Sequence, residues 1–124
     1  MAVTQGAVAD ALATFLITDT KADNTVEPNV TGNTSGLIYC VYGDNTKNGS
    51  VASFVKVADN STAQSASTIP DFVFYYPGGK AVSYTFITGV EYAAGVSLWG
   101  TTTTASGSAQ GVPSSDFLVR VLAT

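Results

Sequence analysis

The chain contains no histidine, and that absence removes more chemistry than any other feature of its 124 residues. Ser-His and Cys-His nucleophile pairs and histidine-ligated metals all lose the group they depend on. There is a single cysteine, Cys40, so no intramolecular disulfide can form. Its place inside LIYCVY predicts a small buried apolar side chain rather than a reactive thiol. Charge is scarce as well. Charged residues make up 11% of the chain, against about 25% in an ordinary soluble domain. The five basic residues, Lys21, Lys47, Lys56, Lys80 and Arg120, are scattered and outnumbered by nine acidic ones, leaving a net charge of −4. No basic stripe can neutralise phosphates, so nucleic acid is not an expected partner. Long hydrophobic runs are missing too. The run VADALATFLI is too short to span a bilayer and is broken by Asp10. It has no basic region before it, so neither a signal peptide nor a membrane partner is expected, and synthesis in a cytoplasm is.

What fills the space is Thr, Ser, Asn and Gly between short apolar runs. From residue 36 onward LIYCVYG, VASFVKVAD, DFVFYY, KAVSYTFI, GVSLWGTT and DFLVRVLA alternate with turn-forming clusters. This spacing predicts an all-β fold, an antiparallel β-sandwich of jelly-roll or Ig-like type with about seven to eight strands. One domain is expected at this length, with residues 36–124 as the sandwich and residues 1–35 as an N-terminal strand or arm and polar loop. Within that first part a strand is predicted near Ala13 to Thr18 and a short one around Thr25 to Val30, and an arm reaching a neighbouring subunit is one reading of it.

The stretch DFVFYYPGGKAVSYTFITGV, residues 71 to 90, reads as two strands around a Pro-Gly-Gly turn. A loop from Pro77 to Ala81 places Phe72, Phe74 and Tyr76 on one face with Val82, Tyr84 and Phe86, and this register makes a better core than a two-residue loop. A type II turn there needs a positive φ at Gly78 or Gly79. Val73 and Tyr75 then point the other way. Elsewhere Val96 and Leu98 oppose Trp99, while Phe117, Val119 and Val121 face inward and Leu118, Arg120 and Leu122 outward. Sandwich strands normally alternate apolar inside with polar outside. In this chain the outside is partly apolar.

The search for reactive groups yields no catalytic, cofactor-binding or metal residues, and no enzyme activity or cofactor is expected. The carboxylates, among them Asp19, Asp23, Asp44, Asp59 and Asp71, sit beside turn residues and are expected to cap turns. DNTKNG, from Asp44, begins like a calcium loop, but its twelfth position is Val55 where a bidentate Glu is required. It reads instead as a strand connection with Asn48 or Gly49 in a left-handed conformation. PGGK lacks the length and the Ser or Thr of a phosphate loop.

An exposed apolar sheet face calls for a cover. The simplest cover is a second copy of the chain. The candidate contact residues are Tyr75, Trp99, Leu118, Arg120 and Leu122. The run PDFVFYYPGGKAVSYTFITGVEYAAGVSLWGTTTT, residues 70 to 104, with its closing DFLVRVLA, resembles small β-sandwich structural proteins of tailed bacteriophages. The shared pattern is a Pro-x-Gly-Lys turn, an alternating strand, a Gly-ended bend, and a Gly-x-Ser-x strand running into Thr-rich sequence. That resemblance implies a virion protein of the capsid decoration or cement type, commonly a homotrimer, bound to the major capsid protein of the assembled shell. The other reading is a carbohydrate-binding or adhesion module of a phage tail or fibre, with Tyr75 and Trp99 as a stacking shelf for a glycan.

Overall fold

The computed structural model describes residues 3–7, 15–62, 65–105 and 110–124. Eight strands form two antiparallel sheets: β1 (Val3–Ala7), β2 (Phe15–Asp19), β3 (Gly36–Asp44), β4 (Ser53–Ala58), β5 (Phe72–Tyr76), β6 (Ala81–Tyr92), β7 (Ser97–Thr101) and β8 (Leu118–Ala123). The five-stranded sheet has the order β1-β2-β8-β3-β6 and the three-stranded sheet β5-β4-β7. The antiparallel sandwich expected from the strand spacing is present.

Residues from the first 35 are part of this body. β2 pairs with β8 from Phe15↔Ala123 to Asp19↔Val119, and β1 pairs with β2. The predicted strand start at Ala13 lies outside the described residues. The Thr25 to Val30 segment forms no regular strand. It runs beside β7 through Gly100 N–H to Asp23 O, the Glu27–Leu98 bridge and Val30 N–H to Val96 O.

The run around Pro77 departs from the simplest expectation, because β5 and β6 do not pair as a hairpin. β5 pairs with β4, and β6 pairs with β3. Pro77 to Lys80 therefore carries the chain from one sheet to the other. The predicted shared face nevertheless holds, since the two strands meet across the core: Phe74 lies 5.3 Å from Tyr84 and 6.0 Å from Phe86, and Tyr76 lies 5.6 Å from Tyr84, ring to ring. Faces depend on side-chain parity, and parity survives when the loop bridges two sheets instead of two neighbours.

Asn45 fixes this crossing. Its side chain is fully buried, and its Nδ2 donates to Val51 O at 2.9 Å and to Tyr76 O and Pro77 O at 3.2 Å each. Its Oδ1 accepts from Asn48 Nδ2 and Ser53 Oγ, and its backbone pairs with Lys80 O and the Gly79 N–H. Gly79 supplies the positive φ, +74°. Gly78 packs so closely that a Cβ there would sit 2.4 Å from the Ser50 carbonyl carbon. Gly49, at φ 55°, takes the left-handed position expected in DNTKNG.

The carboxylates mostly cap turns as expected. Asp23 accepts from the Thr25 N–H and Asp44 from the Thr46 N–H. Asp59 accepts from the N–H groups of Ala93, Ala94 and Gly95. Burial opposes the ionised form of Asp59, but these three amides hold it below the usual carboxylate range. Asp19 caps its turn in the same way but is buried. It is 1% exposed, its Oδ1 accepts the Lys21 N–H, and its Oδ2 has no partner among the described residues. Burial raises it to about 6, the Lys21 amide opposes that, and Glu27 and Asp23 add to it.

Two outcomes are expected from these contacts. Asn45→Ala orphans buried donors and acceptors on both sides of the crossing and is expected to cost about 3 kcal/mol or more in urea unfolding. For Asp19 the folded pKa lies above its ordinary 3.8. Its stabilising share is therefore complete below about pH 4 and is lost as pH rises through about 6. Asp19→Asn is expected to flatten the unfolding midpoint across that window, whereas an unchanged decline would contradict the assignment.

Candidate functional site

The two outer faces of the sandwich are treated differently. On the three-stranded sheet the outward row is Phe54, Lys56 and Ala58 on β4, with Trp99 beside Lys56 and Thr101 beside Phe54 on β7. All of these are buried. Trp99 is 0% exposed and packs with Val26, Ala58 and Ala66, which the chain itself brings over the sheet. Lys56 is also 0% exposed, and its ammonium donates to Ala105 O and Gln110 Oε1, each at 2.8 Å. Burial lowers its pKa. Asn24 Nδ2 donates to Gln110 O, and the Thr101 Oγ1 donates to Gly111 O, tying the same loop down.

This corrects the expectation for Trp99. Its side chain does point away from the main core, as its parity predicts, but its own chain covers it, so it cannot be an exposed contact. The shelf with Tyr75 does not form either. Tyr75 is 49% exposed on edge strand β5, level with Phe54 at 5.6 Å, while Trp99 lies across β4 and level with Lys56.

The five-stranded sheet carries no such cover among the described residues. Its outward residues form rows across the strands: Leu16, Leu122, Cys40 and Thr85 in one, and Thr18, Arg120, Tyr42 and Ser83 in the next. Leu118 falls level with Asp44 in a third. Leu118 and Leu122 are half-buried and Arg120 is exposed, so three of the five candidate contact residues share this surface. A groove of about 370 Å³ is lined by Leu16, Cys40, Tyr42, Ser83, Arg120 and Leu122. A second depression of about 240 Å³, lined by Tyr39, Cys40, Thr85, Phe86, Ile87 and Leu122, continues it. The Arg120 guanidinium sits 6.0 Å over the Tyr42 ring, a cation–π distance, and forms no ion pair with the described residues.

Cys40 reaches this face through an irregularity the sequence did not reveal. The β3 register shifts between Ile38 and Cys40, opposite the extra residues 86–89 of β6. Ile38 and Val41 both point inward, while Cys40 is half-buried on the outer surface rather than in the core. The two-sided apolar pattern of LIYCVY comes from this bulge, which breaks the simple alternation. Tyr39 is left opposite residues 86–89.

Reactive chemistry is sparse elsewhere. A depression of about 570 Å³ beside Ser35 to Leu37 and Glu91 to Ala93 contains Asp59, whose carboxylate is already engaged by three amides. Among the described residues no three His, Cys, Asp or Glu side chains converge as metal ligands. No family model, curated protein or solved structure matches the chain.

The burial of Trp99 generates a direct expectation. Trp99→Ala leaves a cavity under the loops and is expected to cost about 3–5 kcal/mol of folding stability without exposing a docking residue. Calorimetry checks this. A variant that keeps its melting temperature and changes only its association state would contradict the placement.

Proposed function

We propose that the protein is a non-enzymatic virion structural component that docks onto the protein shell of an assembled capsid through the outer face of its five-stranded sheet. The observation that carries this reading is the unequal cover of the two sheets. Among the described residues, the segments around Val26, Ala66 and Ala105 lie on or beside the smaller sheet, and none lies across Leu16, Cys40, Tyr42 and Leu122 on the larger one, where Leu16 is exposed and the other three are half-buried. A partner that fills this groove removes apolar surface worth about 25 cal/mol per Å² before the costs of association. Arg120, central and without an ion pair among the described residues, gives that partner's carboxylate or carbonyl groups a fixed donor.

The decoration or cement role comes from the resemblance of residues 70–104 to phage β-sandwich proteins, with a virion location and the major capsid protein as the partner surface. The low charge and the engagement of most turn carboxylates by backbone amides are compatible with a binding role rather than catalysis. The glycan reading loses its main support with the burial of Trp99 and the separation of Tyr75 from it.

The test is co-sedimentation of the purified chain with virus particles, comparing wild type with Leu122→Glu. Leu122 is half-buried on the outer face, so the substitution is expected to abolish co-sedimentation while shifting stability by about 1 kcal/mol or less. Full retention on particles by the folded variant would remove the groove from the interface.

A further inference from the structure

Arg120 is the one cation carried by the strands of the five-stranded sheet. Its guanidinium lies 6.0 Å over the Tyr42 ring and forms no ion pair with the described residues. The carboxylate closest to it in register is Asp44, one row along and level with Leu118. That group is already engaged, because its Oδ1 accepts from the Thr46 hydroxyl at 2.6 Å and the Thr46 N–H at 3.0 Å. Those two bonds are the main reason Asp44 stays below the usual carboxylate range, and Arg120 contributes least.

Successive rows of this face differ in kind. Thr18, Arg120, Tyr42 and Ser83 stand level, so one row sets three hydroxyls around a single guanidinium. The next row, toward the end of β8, is Leu16, Leu122 and Cys40, closed by Thr85. Beyond it the β3 bulge opens the depression walled by Tyr39, Phe86 and Ile87, and Ile87 is 92% exposed. Rows repeat at every second residue of a strand, about 7 Å. Alternate side chains of an extended segment repeat at the same distance.

We propose that the groove receives an extended segment of the shell protein in which one Asp or Glu stands at an alternate position beside two successive apolar side chains. Its carboxylate meets Arg120, and its apolar groups fill the Leu122 row and the Tyr39 depression. This rests on the capsid-docking reading and names the chemistry which that reading leaves open. Covering a guanidinium with no anion is costly, and a carbonyl brings no charge to offset the loss of water. A carboxylate takes the planar fork of donors in a bidentate pair. A phosphate or nucleic acid calls for further cations, whereas this face has one, with Asp44 a row away to repel a second negative charge. A sugar ring finds the Tyr42 face taken by the guanidinium.

The test is a magnetic-resonance titration of the isotope-labelled full chain with two blocked heptapeptides, serine except at three positions. One has Leu at its second and fourth positions and Asp at its sixth; the other has the reverse order. At least one is expected to give saturable shifts at Cys40, Tyr42, Arg120 and Leu122. Replacing its Asp by Asn is expected to weaken binding about tenfold. Arg120→Gln is expected to cause the same loss for the Asp peptide and none for the Asn peptide. Arg120 is exposed, so this variant is expected to keep the wild-type melting temperature. No saturable shift with either order overturns the proposal. So does equal affinity for the Asp and Asn peptides, or an equal loss for both in Arg120→Gln. A concentration-dependent doubling of mass that Leu122→Glu abolishes would give the groove to a second copy and overturn it too. Wild type that sediments with particles yet shows no Asp preference sinks this proposal and leaves capsid docking standing; coupling of Arg120 to the peptide Asp without particle binding does the reverse.

Discussion

The fold depends on one buried amide. Asn45 opens the connection out of β3 and, with a single side chain, holds the carbonyls of Val51, Tyr76 and Pro77 together. A buried carbonyl without a donor is costly, and a side-chain amide is one of the few groups able to serve several acceptors while also accepting in return. Because Asn45 is satisfied, the chain can leave one sheet at Tyr76 and enter the other at Ala81 within four residues. That short crossing places β5 and β6 at the same side of the sandwich, where the Tyr84 hydroxyl donates to Tyr75 O at 2.6 Å. It also makes β6 an edge.

The distribution of cover follows. The smaller sheet is narrow, and the chain has loops long enough to close it, using Lys56 as a buried peg whose ammonium is met by a carbonyl and an amide oxygen instead of a carboxylate. A buried ammonium loses much of its hydration, and two good acceptors offset only part of that loss. That arrangement commits the loops to one face. The larger sheet, built from strands drawn from both ends of the chain, has no segment left among the described residues to lie across it. Its outer rows stay open, among the described residues, around an arginine that has a ring beneath it and no ion pair.

Much of this was legible in the residues. The antiparallel class, the six strands after residue 36, the inward set Phe117, Val119 and Val121, and the shared face of Phe74, Tyr76, Tyr84 and Phe86 all follow from period-two patterning, which is local; β1, Val3–Ala7, was not anticipated. What patterning could not supply was which strands are neighbours. DFVFYYPGGKAV has the look of a hairpin, and only the nonlocal bonds of Asn45 show that its halves belong to different sheets. Cover was illegible for the same reason. Trp99 and Leu122 both point outward by parity, yet one is roofed by segments distant in sequence and the other is not. The β3 bulge escaped detection because a two-sided apolar run admits both an ordinary central strand and a shifted one. The course of residues 23–30 was not legible either, since a polar, turn-rich stretch gives no periodic signal even when backbone bonds pin it along β7.

The central claim is that the outer face of the five-stranded sheet is the working surface, and Cys40 reports on it directly as the lone thiol in the middle of the groove. The decisive measurement is the alkylation rate of Cys40 by a maleimide, free in solution and again with the protein bound to virus particles. The account predicts ready reaction of the free protein and strong protection on particles. Equal rates in the two states, with binding confirmed in the same sample, would contradict it.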